Sequence, residues 1–114
     1  MRQFIEINLD IEGVHRWENC DIAEVLYLQH PHRHIFKMIL RKEVIHGDRQ
    51  IEFIKFKHEV KFYIGKTWYN LDIGCCDFGT MSCEQIAAHL LERYELSYCS
   101  VSEDGEFAGI VQRD

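Results

Sequence analysis

The stretch His30-Pro31-His32-Arg33-His34-Ile35-Phe36 decides how this chain is to be read. Residues two apart on a strand point to the same face. His32 and His34 therefore open a face that continues as Phe36, Met38 and Leu40. The segment from Met1 to His15 ends in a related way. Ile5, Ile7, Leu9, Ile11, Gly13 and His15 share one parity, while Glu6, Asp10 and Glu12 share the other. Two neighbouring strands of this kind place three imidazoles at one end of a common interior. Three nitrogen ligands with an open position form the pattern of a catalytic-type zinc site. His15, His32 and His34 are thus candidate metal ligands, and Zn2+ is the candidate cofactor.

Composition narrows the function classes. With 114 residues the chain has room for one domain with one core, spanning residues 1–114. At 46% hydrophobic and 28% charged, with a single proline, it reads as globular and not disordered. A net charge of -6 argues against a nucleic-acid partner held through phosphates. The apolar runs are too short to span a bilayer, and Met1-Arg2-Gln3-Phe4 leads directly into strand-like alternation without a signal peptide. Five cysteines without a C-x-x-C pair, two of them adjacent at Cys75 and Cys76, read as reduced thiols. The expectation is a cytoplasmic protein without a disulfide framework.

Outward from the histidines, strands are expected at about Gln3 to Val14 and His32 to Val44. The irregular stretch between them holds Cys20 and a short helical piece at Ile22 to Leu28. A turn at Ile45-His46-Gly47-Asp48, with Gly47 taking a positive φ, leads to a short strand at Arg49 to Phe53. Residues Ile54 to Ile64 fit two periods. Ile54, Phe56, His58, Val60, Phe62 and Ile64 alternate as in a strand, while Phe53, Phe56, Val60, Tyr63 and Ile64 form a helical stripe. A clearer helix runs from Ser82 to Glu95, with Ser82 and Gln85 at capping-box spacing and an apolar stripe through Ile86, Leu90 and Tyr94. Strands at Ser97 to Ser102 and Phe107 to Gln112 flank Asp104-Gly105, a hairpin signal. The order predicts an α+β domain with helices on one face of an antiparallel sheet.

His15, His32-Arg33-His34 and Glu103, in that order, resemble the tunnelling-fold enzymes of pterin chemistry, the 6-pyruvoyl- and 6-carboxy-tetrahydropterin synthase family. Ile11-Glu12-Gly13-Val14-His15-Arg16-Trp17 stands for the family's Phe-x-Ala-x-His-Arg-Leu, and His32-Arg33-His34 for its His-Gly-His. The run Gln50 to Lys57 matches the stretch that leads into the first helix. Met81 to Ala87 matches the Pro-Thr-x-Glu-x-Leu-Ala that opens the second, and Val101-Ser102-Glu103-Asp104 matches a final Val-x-Glu-Thr. The resemblance implies that Ile54 to Ile64 is helical. It also implies a four-stranded antiparallel sheet with two helices on one face, the sheets of several subunits joining into a barrel in a trimer or hexamer. It implies zinc on the three histidines, with Glu103 anchoring a pterin or guanine edge through paired hydrogen bonds. Glu84 is either a charge favoured by the helix dipole or a second ligand contact.

The proton-transfer groups depart from the family pattern. Leu28 stands where the family carries a cysteine ahead of the histidine pair, and Leu71-Asp72-Ile73 replaces Leu-Asp-His. Neither leucine nor isoleucine transfers a proton, and losing positioned acid–base help typically costs about a hundred- to ten-thousand-fold in rate. Asp72 remains as a candidate catalytic acid or a turn residue. Cys20 is the other catalytic candidate, with His30, Cys75 and Cys76 as further substitutes. Two functions follow. One is a zinc-dependent lyase acting on a reduced pterin such as dihydroneopterin triphosphate. The other is an inactive relative that binds a pterin, guanine or purine nucleotide. A small oligomer whose histidines merely pack is the third reading.

Overall fold

The two long strands are as the alternation predicts. A computed structural model describes residues 1–114. Strand β1 spans Gln3–His15 and pairs antiparallel with β2, His32–Val44, over their whole length. The connection is a kinked 3-10 helix, Ala23–Gln29, at the position of the expected helical piece. Ile7, Leu9, Phe36, Met38 and Leu40 are buried on one face of this ribbon, while Glu6, Asp10 and Glu12 are not buried on the other. This parity sets the inside of the molecule.

Helix α1, Phe53–Trp68, resolves the ambiguous segment. Phe56, Val60 and Ile64 are its buried residues, spaced as a helical stripe. The expected strand at Arg49 to Phe53 does not form. The Glu52 carboxylate instead accepts the free N–H groups of Ile54 and Lys55 and so starts a helix there. The positive φ of the preceding turn falls at Arg49, at 53°, and not at Gly47.

Two short strands, β3 (Tyr69–Asn70) and β4 (Cys75–Asp77), add an unexpected edge. Strand β4 runs parallel to the end of β1, with Gly13 opposite Cys76. Helix α2, Cys83–Tyr94, begins with the predicted capping box between Ser82 and Gln85. Strands β5 (Tyr98–Glu103) and β6 (Phe107–Gln112) complete a sheet of six strands in the order β3-β4-β1-β2-β5-β6. The expected count was four. Residues of both helices and of β1, β2, β4 and β5 share one hydrophobic core, with Val111 of β6 packed against it, so the α+β layering holds. All five cysteines are free and buried. No helix is long and apolar enough to cross a membrane.

Candidate metal centre and adjoining cavity

The register of β1 and β2 sets His15 directly opposite His32, and Gly13 opposite His34. Strand β5 continues the layer, with Glu103 opposite Phe36. The four side chains His15, His32, His34 and Glu103 each offer a ligand atom within 4.8 Å of the others, and the group could hold a metal. Phe36 is fully buried beneath it, with ring centroids 5.0 Å from His15 and 5.8 Å from His34. Gly13 leaves space for the next layer: a Cβ there would stand 2.7 Å from the Phe78 ring, which packs on Phe36.

The outer nitrogens of the three rings are each held. His15 Nδ1 is 2.8 Å from the Met81 carbonyl, His32 Nδ1 is 3.0 Å from the His30 carbonyl, and His34 Nδ1 is 2.7 Å from Asp104 Oδ2. A carbonyl oxygen only accepts, so His15 and His32 must donate from Nδ1. Asp104 also accepts from the Ile35 N–H at 2.9 Å, which with His34 keeps its carboxyl below the usual range and ionised. His34 therefore donates from Nδ1 as well. His15 Nε2 lies 3.0 Å from Glu103 Oε1, to which a protonated ring would donate. In the neutral rings all three Nε2 atoms carry lone pairs, the arrangement that orients metal-ligating histidines. Burial lowers the pKa of His15, which favours its neutral, ligating form. His34 Nε2 is enclosed and has no hydrogen-bond partner, although Glu103 Oε2 lies 3.2 Å away at an angle that makes no bond. An orphaned buried nitrogen beside a carboxylate fits a cation between them.

A cavity of about 600 Å³ opens beside His15, His32 and Glu103, within the usual size of small-molecule sites. Trp17, Leu28 and Phe107 form much of its apolar wall, and the start of α2 brings Cys83 and Glu84 to it. Gly109 of β6 lets that helix end come close: a Cβ there would stand 2.5 Å from the Glu84 nitrogen. The Cys83 thiol lies 4.0 Å from Glu103 Oε1, and burial together with the two carboxylates pushes its pKa to about 12.

The structure gathers His15, His32, His34 and Glu103, and it puts Glu84 on the cavity wall. Asp72 is exposed in the turn after β3, its N–H bonded to the Asn70 side chain. Cys20 is buried with its thiol toward the Val25 carbonyl, 3.5 Å away. Neither lines the cavity, nor do His30, Cys75 or Cys76. Sequence reasoning missed Asp104 and Cys83. Asp104 carried a signal only as half of a turn dipeptide. Cys83 carried only the buried side of the α2 stripe.

No protein-family model matches the sequence, and no curated protein matches it. Solved structures do. An uncharacterised protein from Wolinella succinogenes superposes with a TM-score of 0.74 at 13% identity, covering 100% of this chain and 99% of its own. The 6-pyruvoyl tetrahydropterin synthase of Caenorhabditis elegans superposes with a TM-score of 0.71 at 12% identity, covering 100% and 97%. Full-length superposition at such low identity speaks for the backbone alone, and on that ground the chain has the fold of 6-pyruvoyl tetrahydropterin synthase, in strongly diverged sequence.

Proposed function

We propose that this protein is a zinc-dependent, pterin-type lyase resembling the tetrahydropterin synthases, acting on a reduced pterin such as dihydroneopterin triphosphate. The observation that carries it is the set of three Nε2 lone pairs beside a ligand-sized cavity, each ring fixed by an outer acceptor. His15, His32 and His34 would hold the zinc. Bound there, zinc would polarise an oxygen of the substrate's side chain. Glu84 and Glu103 border the cavity, and a carboxylate accepts the paired N–H groups of a pterin or guanine edge. Trp17, Leu28 and Phe107 would cover the ring faces and exclude water. Subunits would join their sheets into a barrel, as a trimer or hexamer. The test is a product assay with zinc-loaded protein and dihydroneopterin triphosphate. The expected result is loss of the triphosphate with a rearranged or shortened side chain, and no turnover by fully zinc-loaded protein would reject the reading.

One observation favours a second reading, a binding protein without turnover. Leu28 is part of the cavity wall, and the one thiol there, Cys83, stays protonated near neutral pH. Calorimetric titration with reduced pterins, guanine and guanine nucleotides decides. Micromolar binding without conversion supports this reading, and no binding by any of them removes it.

A further inference from the structure

The ring-anchoring role leaves the actual surroundings of Glu103 unexplained. Its Oε1 lies 3.0 Å from His15 Nε2, and its Oε2 lies 3.2 Å from His34 Nε2. Both rings donate outward from Nδ1, to the Met81 carbonyl and to Asp104. In neutral rings the two Nε2 atoms carry lone pairs, and so do both carboxylate oxygens. A proton on His15 Nε2 would satisfy only the contact to Oε1 and would leave His34 Nε2 buried without a partner beside Oε2. A metal ion among the four atoms satisfies both contacts. Metal–nitrogen and metal–oxygen bonds of about 2.0–2.2 Å put tetrahedral ligand atoms about 3.3–3.6 Å apart. The observed spacings are close to that edge. The backbone supports the placement: Glu103 ends β5 opposite Phe36, and Asp104 beside it is pinned to Ile35 and His34.

We propose that Glu103 is the fourth ligand of the metal held by His15, His32 and His34. The shell is then closed by this chain alone. Glu103 would have to leave the metal before its carboxylate could accept ring N–H groups, so metal binding and ring anchoring would compete for the same side chain. This inference rests on the metal reading proposed above and changes its open three-histidine site into a closed one.

Cobalt(II)-loaded full-length protein tests it. Wild type is expected to show intense four-coordinate visible bands that thiocyanate leaves unmoved. In Glu103→Ala, metal affinity by chelator competition should fall at least about tenfold, thiocyanate should shift the bands, and added acetate should restore the wild-type spectrum. Glu103→Gln, nearly isosteric, should show the same affinity loss if the alanine variant is poorly folded. Glu106→Gln removes a nearby exposed charge and should stay within about twofold of wild type. An unchanged affinity and spectrum in both Glu103 variants overturns the proposal while leaving the three-histidine site standing. A loss as large in Glu106→Gln also overturns it, because a field effect then accounts for the change. Failure of wild type to bind cobalt or zinc rejects the metal reading itself, and this inference with it.

Discussion

Asp104 shows how one residue links the turn to the candidate metal centre. Asp104 and Gly105 both take positive φ, 57° and 77°, in the three-residue loop that joins β5 to β6, a conformation open to Gly and tolerated by Asp. That conformation turns the Asp104 carboxylate back onto β2, where it holds His34 Nδ1 and the Ile35 N–H. Asn tolerates the same backbone conformation, so Asp104→Asn should leave the fold intact while removing the charge that makes His34 a better ligand. Zinc affinity measured by chelator competition should drop about tenfold. His15 makes a pH prediction. Burial lowers its pKa from 6.5, so below that value the unfolded chain binds a proton that the folded chain resists. Stability is then fully present above about pH 6.5 and is lost as pH falls through the lower folded value. Urea unfolding with chelator present should show lower stability at about pH 5.5 than at about pH 7.5, with a smaller difference in His15→Gln.

At the scale of elements, the cavity depends on how α2 begins. Ser82 accepts from the Gln85 N–H and the Gln85 side chain accepts from the Ser82 N–H. Ser82→Ala should cost about 1 kcal/mol in chemical unfolding. It should also loosen the Met81 carbonyl that holds His15, so zinc affinity should fall in the same variant. Gly109→Ala should cost more, about 1–3 kcal/mol, because the added Cβ meets backbone of Cys83 and Glu84 at 2.9 and 2.5 Å and neither can rotate away. Its circular dichroism should remain native while ligand binding in the cavity weakens. These contacts were not legible in sequence. The capping box was, because it is local. A glycine on an edge strand shows no partner until the helix is in place.

For the whole molecule, the sheet's free edges and outer face would carry the assembly proposed above. Strand β6 is an edge strand, and it exposes Phe107 at 70% and Ile110 at 55%. Such an edge invites pairing with another chain. Sedimentation analysis should find a trimer or hexamer at micromolar concentration, and Ile110→Lys should shift it toward smaller species without unfolding the subunit. A wild-type monomer at that concentration would reject the assembly. The long strands and α2 were legible because each carries many residues of a single period, so burial of one face leaves one register. The segment Ile54 to Ile64 satisfied two periods, and only packing of Phe56, Val60 and Ile64 into the shared core selects the helix. Strands β3 and β4, two and three residues long, carry no measurable period and exist because β1 offers them a partner. The sequence by itself determined the α+β layering and the common face of His15, His32 and His34, since strand parity is a local property. The tertiary structure alone decided that Glu103, Asp104 and the Met81 carbonyl meet those rings, because these contacts join positions some 66 to 88 residues apart that no local pattern connects.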